Sequence, residues 1–159
     1  PIIEGKADVV YGSRFRKDSS NVHNTFHYFV NRFLTFMSNV FSSIYVSDME
    51  TCYKVFKADL LKSLPLSSNR FGFEPEVTAL LGKLKVRIYE FGISYSPRGY
   101  LEGKKINWKD GVAALWFIMK YNLKALTEEE TAKIPARYRL DGQQKSLYTP
   151  AEKRHQESR

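Results

Sequence analysis

The chain has a single cysteine, Cys52, so no disulfide can close within it, and a reducing compartment suits it. No apolar run approaches the roughly 20 residues that a membrane-crossing helix needs, and no signal-peptide pattern opens the sequence, so no transmembrane helix is expected. Internal repeats and low-complexity tracts are missing too, which excludes solenoids and compositionally biased linkers. Acidic residues are in the minority: 17 Asp and Glu face 25 Lys and Arg, and the resulting formal charge of +8 favours acidic partners such as nucleotide phosphates, lipid phosphates, anionic membrane or nucleic acid. What remains is a chain of 159 residues with 43% hydrophobic content, enough for one domain with a buried core.

The most informative stretch is RFGFEPEVTALLGKLKVRIYEFGISYSPRGYLEGKK, residues 70–105. Glu74 and Pro75 open a helix there: proline near a first turn sacrifices no hydrogen bond, and acidic residues suit the helix dipole. Val77, Leu80, Leu81 and Leu84 recur at helical spacing, then residues 86–91 alternate strictly, as a half-buried strand does. Gly92 suggests a bulge or the close approach of another backbone. Beyond it, Arg98, Lys104 and Lys105 sit on a glycine-hinged loop suited to phosphates, although a charge run is often only a solvated face.

Upstream, residues 1–6 read as a loop cut from something longer, and 7–11 as a short apolar strand that Gly12 and Ser13 end beside Arg14. Residues 24–44 carry Phe26, Phe29, Val30, Phe33, Leu34, Met37, Val40 and Phe41 at amphipathic-helix spacing. Residues 46–56 begin in a turn and end in a strand; Asp48 and Glu50 imitate a metal-binding D-x-D pair, a role set aside below. A short helix over 58–64 stops at Pro65, and a longer one runs to about residue 121 with Trp108, Val112, Leu115, Trp116 and Met119 on one broad side. From residue 124 the periodicity fades. Thr127 before three glutamates is positioned to cap a brief helix, but the prolines and mixed charge beyond point to a loosely ordered basic tail over 124–159.

Five segments in unbroken order, ADVVYGSRF, NRFLTFMSN, DMETCYKVFK, RFGFEPEVTALL and the YSPR turn with EGKKINWKDGVAALW, resemble the second half of a family 2 glycosyltransferase. The branch is that of dolichol-phosphate mannosyltransferase and related polyprenyl-phosphate sugar transferases, and the likeness covers residues 7–121. It implies an α/β fold, the C-terminal part of a GT-A domain over 1–123, with a mixed sheet flanked by helices and amphipathic helices at an interface. It further implies sugar transfer from a nucleotide-diphosphate donor, of the GDP-mannose or UDP-glucose type, to a polyprenyl phosphate. Inversion at the anomeric carbon and assistance by Mg or Mn belong to that expectation.

On this resemblance Arg14, Arg98, Lys104 and Lys105 hold donor or acceptor phosphates, and Asp48 is the catalytic candidate, as base or as electrostatic positioner. A polyprenyl phosphate is already ionised, which favours positioning. Glu74 either complements the helix start or lines a sugar pocket, and no metal ligand is expected in this chain because the acidic metal motif belongs to the half that precedes it. Phe29, Phe33 and Met37 are expected at a membrane interface, on a helix whose other face packs on the sheet. The chain would then work peripherally at the cytoplasmic face of an anionic membrane, without nucleic acid, and would be inactive without the nucleotide-binding half. Two further readings are a non-catalytic basic module binding anionic membrane or nucleic acid, and a regulatory pseudoenzyme.

Overall fold

A computed structural model describes residues 1–16, 25–94 and 108–140. In chain order it contains β1 (Val9–Ser13), α1 (Thr25–Ser42), β2 (Lys54–Phe56), α2 (Ala58–Ser63), a 3₁₀ turn (Arg70–Gly72), α3 (Phe73–Gly82), β3 (Ile88–Gly92), α4 (Trp108–Leu123), α5 (Glu128–Lys133) and a second 3₁₀ turn (Ala136–Tyr138). The three strands form one mixed sheet in the order β2-β1-β3. The central strand runs antiparallel to β2, with Val9 opposite Phe56, and parallel to β3, with Val9 opposite Ile88. The architecture is therefore α/β, and the expected elements occur, most within two residues of their predicted bounds.

Alternation decides which side of the sheet meets the helices. Val9 and Tyr11 are fully buried and share a core with Val77, Leu80 and Leu81 of α3, and the Tyr11 hydroxyl lies 2.9 Å from Thr78 Oγ1. The alternate residues Tyr53, Val55, Tyr89 and Phe91 are exposed. The alternation expected over 86–91 is present, with Ile88 half-buried against the core and its neighbours Arg87 and Tyr89 exposed.

The first helix is amphipathic in an unexpected sense. Its most deeply buried face consists largely of small polar residues, Thr35, Ser38 and Ser42, together with Leu34. Their size lets α1 approach α3 so closely that a Cβ on Gly82 would stand 2.3 Å from the Ser42 carbonyl oxygen. The bulky residues Phe29, Phe33, Phe36 and Val40 face outward, each more than half exposed. Met37, expected with Phe29 and Phe33 on the outer face, instead packs against the core, and Phe36 stands exposed.

A similar correction applies to α4, which packs on α1 and α3. Ala114, Ile118 and Tyr121 form its buried face, whereas Val112, Trp116 and Met119, read from the sequence as sharing one broad side, are exposed together with Leu123. Leu115 does pack against the core.

The tail expected to start at residue 124 is structured as far as 140. Thr127 and Glu130 form a reciprocal capping box that opens α5, as the sequence suggested. Ile134 and Tyr138 then enter the core, and the Lys85 amide donates to the Tyr138 carbonyl at 2.8 Å. Apolar residues too few to show a period still make an anchor; residues 141–159 lie outside the described part.

Candidate functional site

The carboxyl end of β1 is where an α/β sheet usually presents ligands, because loops diverge there and leave a crevice. Ser13 ends the strand, and its Oγ accepts the amides of Phe15 and Arg16 at 3.1 Å each, turning the chain sharply. That turn delivers Arg14 to Asp48. The Arg14 amide donates to Oδ2 at 2.9 Å, Nε to Oδ2 at 2.7 Å and Nη2 to Oδ1 at 2.7 Å. Asp48 is fully buried and the Arg14 side chain mostly so, so the pair is largely desolvated and held in fork geometry.

The turn carrying Asp48 is fixed from three sides. Asn39 of α1 bonds both backbone groups of Val46, Thr35 accepts the Met49 amide at 3.1 Å, and Arg32 donates to the Ser47 carbonyl at 3.0 Å. From β3, Glu90 accepts the Ser47 amide at 2.7 Å and its hydroxyl at 3.1 Å. From β1, Ser13 Oγ lies 2.6 Å from Ser47 Oγ. Of the polar residues of α1, Thr35, Asn39 and Arg32 thus serve this turn.

Immediately beyond it lies a denser group of ionisable side chains. Lys54, at the start of β2, donates to the carbonyls of Met49, at 2.9 Å, and Thr51, and its ammonium stands 4.8 Å from the centre of the Tyr11 ring. Burial pulls Lys54 down to about 8, against the pull of Glu74, Glu50 and Asp48. Burial, and then the nearby charge of Glu74, push the Glu50 carboxyl up to about 7. Glu50 Oε1 is shielded from solvent and has no hydrogen-bond partner. Cys52 lies at the surface of the same turn, its thiol pushed above the usual range by partial desolvation and by Glu74.

Arg14 and Asp48 are joined, and Glu74 stands near enough to act electrostatically on Glu50, Cys52 and Lys54. Of the two roles read for Asp48, base or positioner, its full burial and the engagement of both oxygens by Arg14 favour the positioner. Glu74 faces the charged group, while Glu76 is buried and holds the chain before α3 by accepting the Ser67 and Ser68 amides and the Ser67 hydroxyl. Arg98, Lys104 and Lys105 lie outside the described residues. Lys54 is the member that sequence reasoning passed over, because a lysine in a strand has no chemical signature of its own; Glu50 was noticed through the D-x-E spacing, but once the metal role was set aside it was given no other.

Asp48 and Glu50 do not fit a divalent metal, since Arg14 occupies one carboxylate and Lys54 lies beside the other. Among the described residues no group of three or more His, Cys, Asp or Glu is arranged to hold one. Comparison of the chain with protein-family models, curated proteins and solved structures finds no match.

Proposed function

We propose that this chain is the acceptor-side portion of a family 2 glycosyltransferase with a GT-A fold, transferring mannose or glucose from a nucleotide-diphosphate donor to a polyprenyl phosphate. The observation that carries this reading is the meeting of three separate motifs in one electrostatically coupled group: Arg14 of GSR, Asp48, Glu50 and Lys54 of DMETCYK, and Glu74 of FEPE. Gathering five ionisable groups from positions up to 60 apart at a strand end buries charge at a cost, and such costly clusters concentrate at functional sites.

In the reaction a phosphate oxygen of the acceptor forms a bond to the anomeric carbon as the bond from that carbon to the donor diphosphate breaks, with inversion. The ionised acceptor needs no general base. Arg14, kept in place by Asp48, supplies fixed positive charge toward a phosphate group. Arg98, Lys104 and Lys105 join it in this proposal as phosphate ligands. The Mg or Mn implied by the resemblance has its ligands in the expected nucleotide-binding half, so the steps assigned to this chain involve only its own side chains.

Membrane association belongs to the same proposal. The exposed residues Phe29, Phe33, Phe36 and Val40 of α1 and Val112, Trp116, Met119 and Leu123 of α4 recur at the same spacing on two packed helices. Such faces suit the headgroup boundary, and the net charge of +8 suits anionic lipid. Among the described residues no helix is long and apolar enough to cross a membrane. Peripheral attachment at the cytoplasmic face is the arrangement we propose.

The test is transfer of radiolabelled sugar from GDP-mannose and UDP-glucose to polyprenyl phosphate vesicles with Mg or Mn, using the chain alone and joined to a family nucleotide-binding half. Label in the lipid with the joined protein, lost in Arg14→Ala, supports the reading. A folded, donor-binding joined protein that labels no lipid overturns it.

A further inference from the structure

The Arg14 and Asp48 pair is complete, but the group beside it is not. Glu50 Oε1 is shielded from solvent and accepts nothing, although a buried carboxylate oxygen ordinarily has at least one donor. Leaving it so is costly, and the cost is compounded by Glu74, which raises Glu50, and offset only in part by Lys54 and Arg14. Lys54 does not close the gap: no ion pair joins it to Glu50, because its ammonium is turned to the carbonyls of Met49 and Thr51. The exposed Cys52 marks where this turn opens to solvent.

We infer that Glu50 is a substrate-contacting residue, its unpartnered Oε1 accepting a hydrogen bond from a hydroxyl of a bound sugar ring, with Glu74 as second acceptor and Lys54 as donor. The chemistry of the group selects this ligand class. Two carboxyls beside one ammonium match a polyol, which both donates and accepts. A bare phosphate brings only acceptors toward two carboxyls and is repelled by the negative charge of Glu74. The inference rests on the glycosyltransferase reading for the sugar's identity as donor moiety, though not for the geometry. Because Glu50 titrates near neutrality, sugar binding through it changes as pH crosses about 7, in an environment set by Glu74, Lys54, Arg14 and Asp48.

Saturation-transfer NMR on the whole chain, with methyl α-mannoside and methyl glucoside as probes and inorganic phosphate as competitor, tests this. The wild-type chain is expected to transfer saturation to a glycoside, and Glu50→Ala to bind it about tenfold more weakly, the loss of one charge-assisted hydrogen bond. Glu50→Gln, which keeps shape and an acceptor oxygen, should retain part of the binding, and its amide spectrum verifies the fold. No saturation transfer from the wild-type chain, or equal transfer from a folded Glu50→Ala, overturns the inference. Glycoside binding lost in Glu50→Ala, without lipid-linked transfer by the joined protein, would instead sink the transferase reading and leave this site standing.

Discussion

The two ends of β1 each hold a buried aspartate beside an arginine, yet they differ in electrostatic balance. At the amino end Asp8 is surrounded by donors: Lys57 Nζ at 2.8 Å, the Arg87 amide at 3.0 Å, and Arg87 Nε and Nη2 at 3.1 Å each. Two cations serve one carboxylate, and the hydrogen bonds from Arg87, followed by Lys57, hold Asp8 well below the usual carboxylate range despite its burial. At the carboxyl end Asp48 is equally well served by Arg14, but Glu50, Glu74 and Cys52 follow with only Lys54 added, and one carboxyl oxygen is left without a partner. A balanced cluster staples strands together. An acid-rich, incompletely bonded one has retained a cost that folding alone does not explain, and that difference separates the candidate site from the staple.

The largest effect should come from breaking the Arg14 pair. Asp48→Ala strands a mostly buried guanidinium and is expected to lower stability by about 3 kcal/mol, the cost of unpairing a buried ion. A denaturant midpoint within error of wild type would show that the Asp48 end is no more than a surface contact. Next in size is Glu50→Gln, with the opposite sign. A folded value near 7 against about 4.5 unfolded means that the native state binds the extra proton between those limits, so Glu50 erodes stability as pH rises from 4.5 to 7. Glu50→Gln should therefore stabilise the chain by about 1–3 kcal/mol at pH 8 and leave it unchanged at pH 4. Chemical denaturation at the two pH values measures this, and a destabilised Glu50→Gln at pH 8 would place Glu50 among the structural acids.

How much of this contrast was legible in the sequence depends on what each residue announces. The helix opened by Glu74 and Pro75 and the alternating strand before Gly92 were legible because local period and dipole chemistry fix them. Arg14 and Asp48 could be singled out only through the order of motifs, since their bond closes across 34 positions and no local rule pairs them. The outward turn of Phe29, Phe33 and Phe36 was half legible: period 3.6 announces a face, but burial of Thr35, Ser38 and Ser42 against α3 required knowing that Gly82 admits a close approach. Ile134 and Tyr138 were invisible, because single anchors on either side of Pro135 leave no period. Glu50 was seen but given no role once a metal was set aside: spacing reports that two carboxyls are near, while the cations that decide their chemistry come from Arg14 and Lys54.

The staple supplies the mirror experiment. Asp8 has a folded value below its unfolded one, so the stability it contributes is present above about pH 4 and is lost as pH falls. Asp8→Asn should cost about 1–2 kcal/mol at pH 7, held to that range because Arg87 and Lys57 are partly solvated and screened, and should cost less as pH approaches 2. Equal losses at pH 7 and pH 2.5 would mean that shape and not charge holds this end together.

The smallest effect reads the acid-rich end without perturbing its fold. Cys52 is exposed, yet partial desolvation and Glu74 hold its thiol above the ordinary range, so its alkylation near neutral pH should be slow. Glu74→Gln removes the negative neighbour and should speed iodoacetamide labelling severalfold at pH 7.5, because a larger fraction of the thiol is then ionised. Glu76→Gln, two residues along the same helix but bonded to the 67–68 chain, should not produce that acceleration. An identical rate in wild type and Glu74→Gln would separate Glu74 from the Glu50, Cys52 and Lys54 group. The second sugar acceptor assigned above would then be lost, whereas Glu50 and its unpartnered oxygen would remain.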